Sequence, residues 1–363
     1  MKITFILPEI SLCGGVKSTL EIANRLKEKG HKVLVIYPLM PTLHMCKWYN
    51  LIKICKNILI GCKRIISKKS IRWLDLKMNV KPIFYLNEKW IPPGDIIIAV
   101  WWDNVYFLNK LDRNKGVKLH FVRGYEIWGG PKKLVNKVYM LPIKKMVNSN
   151  WLKELLEKKF NVKAEGPFYN GIDHKIFYKE RKNIKDTNFI RIGIMYRNSK
   201  NKGIEDGIKA FKIVNKKIPN LRLVLFGEKI NKSDRKLLSK IKNVEIYKRP
   251  YGKKLREIYN SLDIFLFTSH SEGFANPPLE AMACEVACIT TPVGGSSDYA
   301  FNNKTALISP IKNPYSLSKK IIYLIRNKDK RDLISKKGNK VSAKFDWDKT
   351  TKNVEEFFKK IIK

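Results

Sequence analysis

Two glutamates eight residues apart, in the run Glu272-Gly-Phe-Ala-Asn-Pro-Pro-Leu-Glu280, are the residues of this chain best placed to do chemistry. An apolar run, Ile264 to Thr268, predicts a strand just ahead of them. Asn276 can cap a following helix, with Pro277 at its first position, where a missing N–H costs nothing. Glu280 then lies about one turn inside that helix. The free N–H groups and positive end of such a helix attract phosphate, and a carboxylate one turn deeper can accept hydrogen bonds from ribose hydroxyls. Glu272 would face a sugar. The pattern suits the holding of a sugar nucleotide, whose cleavage needs fixed cations aimed at the diphosphate that leaves. Arg197 and Lys202 supply them, in Tyr196-Arg-Asn-Ser-Lys-Asn-Lys-Gly203. They follow a predicted strand, and loops at the carboxyl ends of parallel strands are where such folds bind ligands. Gly14-Gly15 also follows a strand and would let the backbone approach a phosphate or an acceptor. Gly294-Gly295 could present backbone to the donor in the same way, with an ordinary turn as the open alternative.

This constellation resembles the retaining GT-B glycosyltransferases of family 4, also called glycosyl transferases group 1. Their signature is E-G-F-G-x-P-x-L-E-A-M-A, and this chain has E-G-F-A-N-P-P-L-E-A-M-A. The resemblance implies an α/β chain of the GT-B fold, with two Rossmann-like, doubly wound parallel-sheet domains facing a central cleft. It implies that Glu280 binds the donor ribose and that Glu272, with the backbone after it, contacts the donor sugar. Arg197, Lys202 and Glu272 become the catalytic set. Gly14, Gly15, Arg249, His270, Phe274, Ala275, Asn276, Leu279 and Glu280 become the donor-binding set, with the base near Tyr247 to Tyr251. Ala275 stands where the family usually has Gly, and its methyl group narrows the sugar pocket. The family's first-domain histidine has no counterpart: the strand from Val117 runs into Arg123-Gly-Tyr-Glu126, and His120 sits inside it. Asp103, Arg123 and Glu126 are the acceptor-side candidates, beside Trp101 and Trp102, for which a plain core role is equally open.

The elements that must position these residues are legible along the whole chain. At 363 residues with 44% hydrophobic content, two domains are expected. Strands are predicted near Lys2–Leu7, Lys32–Tyr37, Pro82–Leu86, Asp95–Trp101, Val117–Val122 and Lys145–Asn148. A second series follows near Ile190–Tyr196, Leu221–Phe226, Val244–Tyr247, Ile264–Thr268, Val286–Thr290 and Ala306–Ser309. Helical periodicity between strands, as in Ile204–Lys217 and Tyr315–Arg326, argues for parallel doubly wound sheets. The turn signals in Glu165-Gly-Pro-Phe-Tyr-Asn-Gly-Ile-Asp173 mark a crossing between domains. The resulting division is 1–168, 169–345 and a last helix, 346–363, which the resemblance returns towards the first domain. Asp346-Trp-Asp348 matches the Asp-x-Asp of metal-dependent glycosyltransferases, but its place before a helix reads as a cap, so neither metal nor cofactor is expected.

A net charge of +41 excludes little by itself, since such a field attracts nucleic acid, anionic lipid and phosphorylated ligands alike. No helix-turn-helix, zinc or RNA-binding signature supports a nucleic-acid binder, although that reading stays open beside a glycoside hydrolase using Glu272 and Glu280. The six cysteines show no metal-ligand or disulfide spacing and read as buried, reduced thiols. No signal peptide or membrane span is expected, so the chain reads as cytoplasmic. Residues 44–72 form a basic amphipathic pattern, with Trp48, Leu51, Ile52, Cys55, Ile58 and Leu59 on one face and Lys53, Lys56, Lys63 and Arg64 on the other. Docking on an anionic membrane surface and packing in the first domain fit that pattern equally. The partners expected are a nucleoside-diphosphate sugar and a glycan or lipid-linked acceptor.

Overall fold

The computed structural model of the chain describes residues 1–11, 13–40, 59, 74–180 and 188–363. Two compact units divide it: Met1–Gly171 with Trp347–Lys363, and Ile172–Asp346. The amphipathic pattern at 44–72 falls outside the described residues. Among those described, no helix is long and apolar enough to cross a membrane.

The first unit is built on seven strands: β1 (Lys2–Ile6), β2 (Lys32–Pro38), β3 (Asn79–Ile83), β4 (Ile96–Ala99), β5 (Val117–Val122), β6 (Lys144–Val147) and β7 (Ala164–Glu165). Their order across the sheet is β3-β2-β1-β4-β5-β6-β7, and every pairing is parallel. The central strands are apolar on both faces because helices cover both sides, as a parallel sheet requires. Ile3, Phe5, Ile96 and Ile98 face one core, closed by α1 (Gly14–Glu28), and Ile6, Ile97 and Ala99 face the other, closed by α2 (Trp102–Lys110), α3 (Lys132–Met140) and α4 (Asn150–Phe160). The last helix of the chain, Trp347–Ile362, belongs to this unit. It lays Trp347, Val354 and Phe358 into the first core and ties Glu355 to Lys29 at 3.2 Å and Asp348 to Arg25 at 2.9 Å. Asp348 is thereby a surface ion-pair partner.

The second unit has six parallel strands, β8 (Ile190–Tyr196), β9 (Leu221–Gly227), β10 (Val244–Lys248), β11 (Ile264–Phe267), β12 (Ala287–Thr290) and β13 (Leu307–Ile308), in the order β10-β9-β8-β11-β12-β13. Its helices are α5 (Ile204–Asn215), α6 (Lys232–Leu238), α7 (Gly252–Asn260), α8 (Asn276–Ala283), α9 (Pro314–Arg326) and α10 (Lys328–Ser342); the Trp347–Ile362 helix is α11. In each sheet the chain winds outward one way and then returns to the far side of the first strand. The switch points are therefore β1/β4 and β8/β11, where doubly wound sheets open a crevice beyond the strand ends.

One predicted strand is displaced. Pro82–Leu86 is found as Asn79–Ile83, and Phe84 and Tyr85 lie beyond it, 52% and 50% exposed. The strand is at the sheet edge, where Pro82 can be tolerated because its missing N–H faces away from the ladder. The two-residue β7 was not anticipated.

A partly buried ion pair locks the far edge of the second sheet. Arg191 on β8 reaches across β9 to grip Glu245 on β10 through two bonds of 2.8 and 2.7 Å, and Arg222 adds a third contact of 3.1 Å. The Arg191 fork holds the Glu245 carboxyl down at about 2, against the desolvation that opposes it. A carboxyl depressed in this way stabilises the fold fully above its unfolded value, and the contribution fades as pH falls towards the folded one. Glu245→Gln is therefore expected to cost about 2 kcal/mol at pH 7, typical of a charged hydrogen bond. Melting curves of the two proteins should converge between pH 4 and pH 2, reckoned from an unfolded carboxyl value of about 4.3. A gap that persists at low pH refutes the assignment.

Candidate active site

The loops after β8, β9 and β11, three neighbours in the second sheet, carry its charged site residues. After β8 the chain makes a short turn at Lys200–Lys202 and enters α5 through Gly203. The loop after β11 grips that turn. The His270 N–H donates to the Asn201 carbonyl at 2.7 Å, and the Thr268 hydroxyl to the Lys202 carbonyl at 3.0 Å. Gly203 has a φ of +58°, and a Cβ there would stand 2.1 Å from the Thr268 carbonyl oxygen. Only glycine allows the approach.

That approach puts Lys202 Nζ 2.7 Å from Glu272 Oε1, which also accepts the Ser269 hydroxyl at 2.7 Å. Arg197 pairs instead with Glu228, just past β9: Nη1 donates to Oε1 at 3.3 Å, while the Asn198 N–H reaches Oε2 at 3.0 Å. The structure thus unites Lys202 and Glu272 and gives Arg197 a carboxylate that sequence reasoning missed. Its only signal was a Gly-Glu pair at a strand end. His270 Nε2 lies 2.6 Å from Asp206 Oδ2 in the first turn of α5, a second partner not foreseen.

The capping expectation for α8 needs correction. Asn276 is the first helical residue and Pro277 the second; the cap position belongs to Ala275, held at φ 67° and ψ 73°. A left-handed alanine is unfavourable alone. Here the buried Tyr299 hydroxyl donates to the Ala275 carbonyl and fixes the backbone. Glu280, the fifth residue of α8, is 7% exposed and accepts the Tyr259 hydroxyl at 3.1 Å. Burial, and then the Glu280 charge, push the Tyr259 phenol well above its ordinary range. Phe274 and Leu279 prove to be packing residues in their side chains. Phe274 is wedged between Tyr299 and Phe345, both at 5.8 Å, and Leu279 is fully buried. Arg249 is exposed, with a φ of 48° and its N–H on the Gly227 carbonyl at 2.6 Å.

Gly294 and Gly295 serve the Glu272 loop. The Gly295 N–H donates to the Gly273 carbonyl at 2.9 Å, and a Cβ on Gly294, whose φ is +52°, would fall 2.2 Å from the Glu272 carbonyl oxygen. Both glycines thus hold a tight turn against that loop. Cys284 and Cys288 are buried free thiols, and burial raises both; Cys13 is exposed, against the expectation of buried cysteines, and the other three lie outside the described residues.

In the first unit, the two glycines are the first residues of α1. A Cβ on Gly14 would meet nothing within 4 Å, and one on Gly15 only Arg123 Cβ at 3.9 Å, so packing does not demand glycine at either place. Trp102, at the start of α2, and Asp103 are buried core neighbours, while Trp101 is half-buried. Glu126 is 6% exposed; its Oε2 accepts the Trp102 N–H at 2.9 Å. Burial raises its carboxyl to about 8. Arg123 is 7% exposed, with its Cζ 4.3 Å over the Phe121 ring, and burial lowers it to about 9. His120 is fully buried, stacked on Tyr139 at 5.8 Å, and burial with Lys145 nearby holds it well below its usual value. It is a core histidine.

Residues 176–341, nearly all of the second unit, match the family model described as Glycosyl transferases group 1. The capsular polysaccharide biosynthesis glycosyltransferase CapM of Staphylococcus aureus is 31% identical over 232 residues, 59% of each chain. The uncharacterised glycosyltransferase MJ1178 of Methanocaldococcus jannaschii is 26% identical over 215 residues, 59% of this chain and 58% of that one. The chain thus spans about three fifths of the length of these curated relatives. Anabaena HepE in complex with UDP superposes with a TM-score of 0.75 at 14% identity, over 99% of this chain and 100% of that one. That likeness is one of fold: the chain has the GT-B fold of two Rossmann-like parallel-sheet domains.

Glu126 offers a test of the first unit's electrostatics. Its folded value is raised, so the native state retains a proton that the unfolded chain has lost between about pH 4.3 and pH 8. Stability should fall as pH rises through that window. Glu126→Gln keeps an oxygen for the Trp102 N–H and removes the proton linkage. Its melting temperature is expected to exceed that of the wild type on the order of 5 °C at pH 8, with the gap closing at pH 4. A gap independent of pH would mean that Glu126 is ionised in the fold.

Proposed function

We propose that this chain is a group 1 glycosyltransferase that moves a hexose-type sugar from a nucleoside-diphosphate sugar to a glycan or lipid-linked acceptor, with retention at the anomeric carbon. The observation that carries the reading is the Lys202–Glu272 pair, held at the end of β8 and β11 beside Arg197. Both cations are balanced by carboxylates rather than left open, and both pairs keep some solvent contact. Such pairs contribute only about 0–1 kcal/mol, so a diphosphate carrying more charge can draw the cations to itself at little cost. Lys202 released from Glu272 would leave that carboxylate to orient the sugar. The buried Glu280, one turn inside α8, suits a ribose diol. The family match over the second unit and the UDP complex of a structural neighbour make a uridine donor the first to try.

In this scheme the anomeric C–O bond to the diphosphate breaks, and the acceptor oxygen bonds to that carbon from the same face. The leaving phosphate oxygen takes the acceptor proton. The protein supplies position and charge stabilisation through Arg197, Lys202 and the helix N-termini. A hydrolase would need Glu272 and Glu280 as an acid–base pair, whereas Glu272 is engaged by Lys202 and Ser269, and Glu280 by Tyr259.

The test is a screen of sugar nucleotides with release of free nucleoside diphosphate as the readout. Lys202→Ala is expected to lower turnover by about 100-fold or more, as loss of a transition-state donor does elsewhere, and Glu280→Gln, which loses a charged acceptor for the ribose hydroxyls, to lower kcat/KM for the donor by about 10-fold. Both should keep a near-native melting temperature. Wild-type rates in the two variants would sink the proposal, as would a melting temperature of the native chain that no nucleoside diphosphate raises.

A further inference from the structure

Trp128 is the most exposed large apolar side chain among the described residues, at 68%, yet the backbone that carries it is firmly held. The Gly129 N–H closes a tight turn on the Glu126 carbonyl at 2.8 Å, which puts Ile127 and Trp128 at the two corner positions. Ile127 is 38% exposed, so both corners face solvent. The first residue of the turn ties it to the body of the first unit. Glu126 accepts the Trp102 N–H through Oε2 at 2.9 Å, and its own N–H donates to the Tyr139 hydroxyl at 3.2 Å. After the corners, Gly129 and Gly130 lie flat on two indoles: a Cβ on Gly129 would run into the Trp101 ring, and one on Gly130 into the Trp102 ring. Only glycine lets the chain pass so close. A single exposed apolar residue is ordinary on a protein surface. What sets Trp128 apart is a turn fixed on both sides that presents it, as pre-formed ligand sites present their aromatic side chains.

Its neighbours and its place define the ligand. The Trp128 ring lies 5.2 Å from that of Trp101, inclined at 56°, so the half-buried indole makes a floor and the exposed one a wall. Behind them the row continues into the core, with Trp101 to Trp102 at 6.4 Å and Trp102 to Tyr106 at 6.3 Å, which stiffens the floor. Trp101 follows β4 and Trp128 follows β5, two neighbouring strands of one sheet. The pair therefore stands at the carboxyl ends of the strands, where doubly wound sheets bind their ligands. Size decides between kinds of partner. An indole and one aliphatic side chain offer on the order of 200 Å², whereas each side of a stable protein interface covers about 800 Å². A single pyranose ring has the matching extent. Its C–H bonds give it an apolar face to lay on an indole, and its hydroxyls remain at the rim in water.

We propose that Trp128 and Trp101 form a stacking platform for a pyranose ring, and that the acceptor of this enzyme is a saccharide held there by its apolar face. The role of acceptor rests on the glycosyltransferase reading, whereas the saccharide site stands on the geometry of the first unit alone. The substrate class is thereby narrowed. An acceptor hydroxyl on a small acid, a glycerol backbone or a peptide side chain brings no ring to lay on an indole. Stacking fixes the plane of the sugar and leaves its rotation to hydroxyl contacts, so Trp128 favours rings whose C–H bonds gather on one face. It determines specificity and takes no part in making or breaking bonds.

Saturation-transfer NMR on the full chain tests the platform. The probes are methyl β-D-glucopyranoside, methyl β-D-galactopyranoside, methyl α-D-mannopyranoside and D-glucitol, which has the hydroxyls of a hexose without a ring face. At least one glycoside is expected to outbind glucitol by about 10-fold or more, with the strongest transfer at its ring C–H protons, and Trp128→Ala should abolish that preference, as loss of a stacked Trp does at other binding sites. Trp128→Phe, which keeps an aromatic face, should recover part of it. Both variants replace an exposed side chain and should keep the native melting temperature and the native affinity for UDP. The proposal is overturned if no glycoside outbinds glucitol, or if Trp128→Ala binds the glycoside as the wild type does. It is equally overturned if Trp128→Ala weakens UDP, since the indole would then serve the donor. Loss of binding to vesicles of phosphatidylglycerol and phosphatidylcholine in Trp128→Ala, with no glycoside bound by the wild type, would make the turn a lipid wedge instead. Glycoside binding that depends on Trp128 in a chain that responds to no nucleoside diphosphate would uphold the platform and sink the transferase reading.

Discussion

Main chain packed directly on main chain is the constraint on which the second unit's site depends. Where Gly203 meets the Thr268 carbonyl and Gly294 meets the Glu272 carbonyl, a methyl group would fall within 2.2 Å of an oxygen. Those two approaches pin the loop after β11 between the loop after β8 and the turn after β12. Lys202 and Glu272 then face one another as a result of backbone geometry, and their ion pair needs no long side-chain search. With their Cα atoms already fixed, only side-chain rotamer entropy and no loop entropy is lost when the two groups pair, so the backbone of the site is set before any ligand arrives.

The two units handle charge differently. In the second, Arg197 and Lys202 each have a carboxylate within hydrogen-bond reach, and His270 has Asp206. These pairs sit at the ends of strands, partly wet, and can be exchanged. In the first, burial dominates: Glu126 is driven towards its neutral form and the buried Arg123 guanidinium has no hydrogen-bond partner. The +41 of the whole chain says nothing by itself of either site. Function is written in the few charges that the fold has desolvated or confined.

Much of this was legible in the sequence. Mainly apolar runs such as Ile190–Tyr196 and Val117–Val122 predict strands with the observed bounds, because a strand covered on both faces is apolar at most of its positions. The loops that carry Arg197, Lys202 and Glu272 were readable from glycine and charge at strand ends. Their partners were not, since Glu228, Asp206 and Tyr259 lie 31, 64 and 21 residues from the groups they hold, and no local pattern encodes a pairing that the sheet order creates. The cap of α8 was misread for a related reason. Asn276 has the better capping propensity, but Tyr299, far along the chain, stabilises a left-handed Ala275 that propensity disfavours. The edge strand was placed three residues late because Phe84 and Tyr85 look like strand residues while no neighbouring strand pairs with them there.

The last helix has a consequence for biogenesis. Because α11 fills the first core through Trp347, Val354 and Phe358, the polypeptide enters the second unit after Gly171 and must come home again before the first is whole. On the ribosome, the part of the first core that α11 covers stays open until that helix has been made. The inserted unit, contiguous from Ile172 to Asp346, can mature beforehand, so the portion made first is the portion finished last.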